Sequence, residues 1–108
     1  MAPIQLTAII TPKPGKSARF LELFAACADY VEKNEPYIHR YELHKAIPEQ
    51  NGNKEQFIVL EGYDHQEGLD KHMKSAPVVA LLKALEAEKL TETDVIMTTA
   101  GPGIKPKL

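Results

Sequence analysis

Residues 56–72 read QFIVLEGYDHQEGLDKH and change period partway along. Up to Tyr63 the side chains alternate, with Phe57, Val59, Glu61 and Tyr63 opposing Ile58, Leu60 and Gly62, as a strand requires. From Asp64 the period lengthens. Asp64 and Glu67 have the three-residue spacing of a capping box, with Asp in place of Ser or Thr, and open a short helix that carries Leu69, His72 and Met73. Upstream, residues 37–45 also alternate, with Tyr37, His39, Tyr41 and Leu43 on one side and Ile38, Arg40, Glu42 and His44 on the other. The polar stretch containing Pro48, Asn51 and Gly52 joins the two runs as an antiparallel hairpin. Downstream, Ser75, Ala76 and Pro77 restart helix, with proline in its tolerated first turn and Val78, Leu81, Leu82 and Leu85 as an apolar stripe.

The outer elements complete the pattern. In residues 4–11, Ile4, Leu6, Ala8 and Ile10 oppose Gln5, Thr7, Ile9 and Thr11, giving a first strand that Pro12, Pro14 and Gly15 end. Between 17 and 33, Phe20, Phe24, Cys27 and Val31 recur at helical spacing, and Pro36 stops the helix by forcing Glu35 out of helical geometry. Residues 94–100 contain Val95, Ile96 and Met97 and read as a last strand, before Gly101, Pro102 and Gly103. The order strand, helix, strand, strand, helix, helix, strand is the ferredoxin-like split βαβ pattern of an α+β fold. In it, helices cover one face of a four-stranded antiparallel sheet. One domain is expected over residues 1–100, with a flexible tail over 101–108. Several strands carry apolar groups on both sides, so a bare second face would expose a large hydrophobic patch. A homodimer with its sheets face to face is therefore expected.

The 108 residues carry 13 Lys and Arg against 15 Asp and Glu, a net charge of −2, which argues against nucleic acid as a partner. The lone Cys27 has no partner for an intramolecular disulfide, and the first five residues lack the basic start and apolar run of a secretory signal. Both point to the cytoplasm. The most apolar stretch, 76–85, is interrupted by Lys83 and too short to cross a bilayer. The final Pro106-Lys107-Leu108 is similar to a Ser-Lys-Leu peroxisomal address, which makes the peroxisome the alternative location.

Asn34-Glu35-Pro36 before Tyr41-Glu42-Leu43, then Leu60-Glu61-Gly62-Tyr63, then Leu69-Asp70-Lys71-His72 with Ser75 following, stand in an order that resembles the antibiotic biosynthesis monooxygenase domain. The resemblance runs from the first strand, through Pro14-Gly15-Lys16, to the last strand. It implies a dimeric α+β barrel and, in some members, cofactor-free oxidation of electron-rich aromatics such as anthrones or quinols. Other members isomerise substrates or break down haem, so the fold alone does not fix the activity. Matched residue by residue, the family's histidine after Leu-Asp-x falls on His72, and its Glu-x-aromatic falls on Glu61 and Tyr63. Tyr63 stands where tryptophan is frequent. The haem-degrading branch is disfavoured, because residues 4–11 hold no asparagine and the chain holds no tryptophan.

Oxygenation without a metal or flavin needs a base that turns the substrate into an electron donor for dioxygen, and histidine suits that task near neutral pH. His72 is the candidate base; the alternative is a histidine that merely packs at its helix. Glu61, a carboxylate in an apolar strand, is expected to pair with Arg40 or His44 across the hairpin, to orient a histidine, or to carry a proton. Tyr41 and His39, on the face of Tyr37, line a cavity or an interface. Tyr63 is expected to contact substrate, and Asn34 either reaches substrate or ends its helix. Cys27 belongs to the apolar stripe. The four histidines lack metal-ligand spacing, so no metal is expected, and the resemblance implies no cofactor. The sequence thus reads as a cofactor-independent monooxygenase acting on a small aromatic, quinol or polyketide-type ligand. The alternatives are a non-catalytic binding or stress-associated dimer, and an isomerase or decarboxylase.

Overall fold

In the computed structural model, which describes residues 3–104 and Lys107, the alternating run at 56–63 forms a strand inside the sheet. The strands are β1 (Ile4–Pro12), β2 (Ile38–Lys45), β3 (Phe57–Tyr63) and β4 (Thr91–Thr98). The helices are α1 (Ser17–Asn34), α2 (Gln66–Met73) and α3 (Ala76–Ala87). The strand order is β2-β3-β1-β4 and every neighbouring pair is antiparallel, so the fold is the expected ferredoxin-like α+β arrangement. Register sets the layers. Ala8 lies between Val59 and Val95, and Leu6 between Glu61 and Met97, so these side chains form rows on one face.

On that face Ala8, Ile10, Phe57 and Val59 meet Phe20, Phe24 and Cys27 of α1 and Val78 and Leu81 of α3. Phe20 stacks on Phe57 with centroids 5.8 Å apart, and Phe24 stacks on Tyr41 at 5.1 Å. Helix α1 ends where Pro36 requires: the N–H of Glu35 bonds the Val31 carbonyl at 3.0 Å and the chain then leaves helical geometry. The opposite face carries Ile9, Ile58 and Leu60, half-buried, and an exposed Ile96. Among the described residues no helix is long and apolar enough to cross a membrane. In the C-terminal tripeptide, Pro106 and Leu108 lie outside the described residues.

Four local expectations need correction. The helix after β3 is not capped by an Asp64–Glu67 box. The Asp64 N–H is held by the sheet, donating to the Tyr37 carbonyl, so the helix begins a residue later with His65 as its cap. Strand β4 starts at Thr91, earlier than the sequence suggests, because β1 carries its ladder on to Pro12, opposite Thr91. Leu82 is exposed, unlike Val78 and Leu81 of the same helix, because it lies beside the cavity that opens next to the exposed β4. Finally, β2 does not alternate through its whole length. A bulge between Ile38 and Arg40 resets the period, so that buried Ile38 opposite Tyr63 joins Tyr41 opposite Glu61, while His39 is exposed.

Candidate functional site

Pro36 turns the chain sharply after α1, and the turn folds Glu35 inward until it is only 3% exposed. A carboxylate so buried must be hydrogen-bonded. The Tyr37 hydroxyl donates to one of its oxygens, and His72 Nδ1 lies 2.8 Å from the other. His72 sits in the last turn of α2 and is 2% exposed. Its backbone is pinned by Ser75, whose hydroxyl donates to the His72 carbonyl at 2.7 Å. An ionised carboxylate can only accept, so Nδ1 carries the proton in the neutral ring and Nε2 is left as the acceptor. Nε2 faces Glu61 Oε1 at 3.9 Å, outside hydrogen-bonding distance.

Glu61 reaches this position from β3, where register sets it between Leu6 and Tyr41. The Tyr63 hydroxyl, two residues along the same face, donates to Glu61 Oε1. The rings of Tyr41 and Tyr63 flank that of His72, with centroids at 5.2 and 5.7 Å, Tyr41 edge-on. Burial raises the Glu61 carboxyl above its ordinary range, opposed by the Tyr63 hydroxyl and by His72. Burial first, and then the Glu61 charge, pushes the Tyr41 and Tyr63 hydroxyls far upward, so both stay neutral. Burial also lifts Tyr37 to about 12, helped by its bond to Glu35, and the Cys27 thiol to about 11, which keeps that thiol protonated at neutral pH.

Beside these groups lies a cavity of about 130 Å³ between the sheet and helices α1 and α3. Its wall is almost wholly apolar, with Leu6, Phe24, Val59, Val78 and Leu81 among the lining side chains. Tyr41, Glu61 and His72 line it together and supply a compact polar corner. A neutral imidazole acceptor, a carboxyl with a raised pKa and a dry wall can remove a proton from a weakly acidic ligand and hold the anion that results. Glu35 and Glu61 lie on opposite nitrogens of the His72 ring, so the three groups do not converge on one cation.

Of the residues singled out from sequence, His72, Glu61 and Tyr41 meet at the cavity. Tyr63 is fully buried and sits behind Glu61 rather than in the cavity wall. His39 and Asn34 are elsewhere. The bulge sends the His39 ring over Gly62 on the outer face, where it pairs with Asp64 at 3.0 Å, and exposed Asn34 donates to the Tyr30 carbonyl at 3.1 Å. Glu61 does not pair with Arg40 or His44. Those two extend over the outer face and bond Glu42 at 2.7 and 2.9 Å. The residue that sequence reasoning missed is Glu35. Its only signals were the following Pro36 and its place in the Asn34-Glu35-Pro36 motif, and a carboxylate at the end of a helix ordinarily reads as solvated.

A family model described as antibiotic biosynthesis monooxygenase matches residues 3–84. No curated protein matches the sequence. Among solved structures, a candidate antibiotic biosynthesis monooxygenase from Caulobacter crescentus is 23% identical with a TM-score of 0.78, over 94% of this chain and 92% of that one. A protein from Shewanella oneidensis is 18% identical with a TM-score of 0.77, over 92% and 91%. SnoaB from Streptomyces nogalater, a cofactor-independent oxygenase, is 15% identical with a TM-score of 0.75, over 98% and 100%. At these identities the likeness is one of fold.

Proposed function

The chain belongs to the antibiotic biosynthesis monooxygenase family, and from that premise we propose that it is a cofactor-independent monooxygenase acting on a small electron-rich aromatic, quinol or polyketide-type substrate. One observation carries the reading: His72 is held on Nδ1 by buried Glu35 and presents Nε2 to an apolar cavity that also contains Glu61. His72 is the base. It takes a proton from the substrate hydroxyl or from the activated C–H beside the ring, leaving a phenolate or stabilised carbanion. That anion passes an electron to dioxygen, and recombination forms a carbon–oxygen bond and, with a proton, a hydroperoxide. Loss of water across the H–C–O–O–H unit then leaves a carbonyl, with one oxygen atom in the product and the other in water. Glu61, whose carboxyl burial shifts toward the protonated form, is suited to give a proton to the peroxide, and the proton held on His72 then replaces the one Glu61 has given up. Tyr63 holds Glu61 in place, and Tyr41 forms the wall against which the ring lies.

The working unit in this proposal is a homodimer in which Ile9, Ile58, Leu60 and Ile96 of the outer sheet face are covered by a second copy. The test is oxygen consumption by purified, metal-free protein with anthrone and hydroquinone substrates. Stoichiometric uptake with carbonyl formation is expected with at least one of these substrates. Conversion that proceeds equally well without oxygen would replace this reading with an isomerase or decarboxylase, and retention of ligand with no conversion would leave a binding protein.

A further inference from the structure

The dimensions of the cavity and the character of its mouth narrow the ligand. A volume of about 130 Å³ is close to that of an apolar protein cavity of about 150 Å³ that accommodates one benzene molecule. Sites for drug-sized, multi-ring ligands run from about 300 Å³ upward. The polar corner is small as well. His72 Nε2 and Glu61 Oε1, 3.9 Å apart, are too far apart to bond each other but near enough for a single hydroxyl oxygen to sit within hydrogen-bonding distance of both. The rest of the wall, apart from Tyr41 and Thr93, has no polar side chain to meet a second hydroxyl.

The mouth is marked by residues that both line the cavity and reach solvent. These are Met73 at the end of α2, Leu82 on α3 and Val95 on β4, all exposed and all apolar. Met97 continues the strip along β4 on the same face. The outer sheet face proposed for dimer contact lies on the other side of the sheet, so that pairing leaves the strip uncovered. A charged or sugar-bearing substituent leaving the cavity here would meet no partner among these side chains, whereas a hydrocarbon chain would bury their surface along with its own. Methionine, unbranched and polarisable, suits a chain of variable shape.

Resting on the enzymatic reading above and deepening it, we propose that the cavity takes a single-ring phenol or hydroquinone. Its hydroxyl would sit between His72 and Glu61, and an alkyl substituent would run out over Met73, Leu82 and Val95. A fused three-ring substrate exceeds the cavity volume and is expected to bind far more weakly.

The test is calorimetric binding of 4-alkylphenols, from methyl to hexyl, to the full chain under anaerobic conditions, with anthrone as competitor. Affinity is expected to rise about fourfold per methylene over the first few carbons, and anthrone is expected not to compete. A flat series overturns the alkyl tail, and anthrone binding as tightly as hexylphenol overturns the one-ring limit. In Met73→Glu the ratio of hexylphenol to methylphenol affinity is expected to fall at least tenfold; an unchanged ratio removes the strip from the site. Sedimentation of the same variant addresses the competing occupant: a change in association state would show that a second copy covers the strip. Oxygen uptake, measured separately on the bound ligands, distinguishes the two proposals. Tight one-ring binding without uptake defeats the enzymatic reading alone, and uptake with anthrone alone defeats this one.

Discussion

A histidine–glutamate pair stands on each side of the β2–β3 hairpin, the inner one supplied by α2 and the end of α1 and the outer one by β2 itself, and the two pairs have nearly the same geometry. On the inner face His72 and Glu35 are 2.8 Å apart; on the outer face His44 and Glu42 are 2.9 Å apart. Distance does not separate them, but environment does. The inner side chains are each 3% exposed, whereas the outer ones are 55% and 46% exposed. In water the outer pair gains little, because solvent and salt screen it and two side chains must be ordered to make it. In the apolar interior the inner pair cannot exchange its partner for water, so it fixes ring orientation and tautomer. The same chemical pair is surface solvation in one place and, in the proposed mechanism, a preorganised base in the other.

The largest expected break in this comparison is functional. His72→Ala should lower the rate of oxygen uptake by about 10²–10⁴-fold, the usual contribution of a positioned general base. His44→Ala should leave the rate within about twofold, since a solvated surface pair is worth little. Initial rates on the same substrate measure both.

Stability should separate the pairs next. Glu35→Ala strands the His72 Nδ1–H and the Tyr37 hydroxyl in a dry interior, which should cost about 3 kcal/mol or more. Glu42→Ala should cost far less, because solvent screens its pair and satisfies the groups left behind. Glu35→Gln, whose amide oxygen still accepts from Nδ1, should recover part of the loss. Urea midpoints for the three variants are the measurement.

The two faces should also differ in the sign of their pH dependence. Burial raises Glu61, so the folded state binds that proton more tightly than the unfolded chain does. The stability this contributes is present at low pH and lost as pH rises through the folded pKa. Bonds from His44 and Arg40 lower Glu42, so its contribution is present above the ordinary carboxylate range and lost as pH falls through the folded pKa. Between about pH 3 and 7, Glu61→Gln should therefore gain on the wild type as pH rises, mainly above the ordinary carboxylate range, and Glu42→Gln should lose ground, more weakly and mainly within and below that range. Unfolding midpoints across that range give the two slopes, and like signs would contradict the assignment of inner and outer environments.

What the sequence made legible follows the range of the forces involved. Alternation and helical spacing are local, so β3, α1 and the chain order could be read directly, and the family motif pointed to His72 and Glu61. The bulge in β2 is set by pairing with β3, not by its own residues. Alternation therefore wrongly put His39 with Tyr41 and Ile38 with Arg40. Glu35 was hidden for a similar reason: its burial depends on a histidine 37 positions away meeting it in space. Carboxylates reveal burial only through their partners, and partners are not a property of a window.

The smallest expected effect tests the outer face itself. A Cβ at Gly62 would come within 2.5 Å of His39 Nε2, the far end of an exposed side chain that is free to swing away. Gly62→Ala should thus break the His39–Asp64 pair for under about 1 kcal/mol. The lower conformational entropy of alanine in a strand offsets part of that, at about 0.5–1 kcal/mol. Monomer stability should barely move. Association should move if a second copy rests on this face, because the displaced imidazole would stand in the contact, so sedimentation equilibrium is the more sensitive readout. Equal association constants for wild type and Gly62→Ala would confine any sheet-to-sheet contact to the Ile9, Ile58 and Leu60 side of the face, away from the bulge.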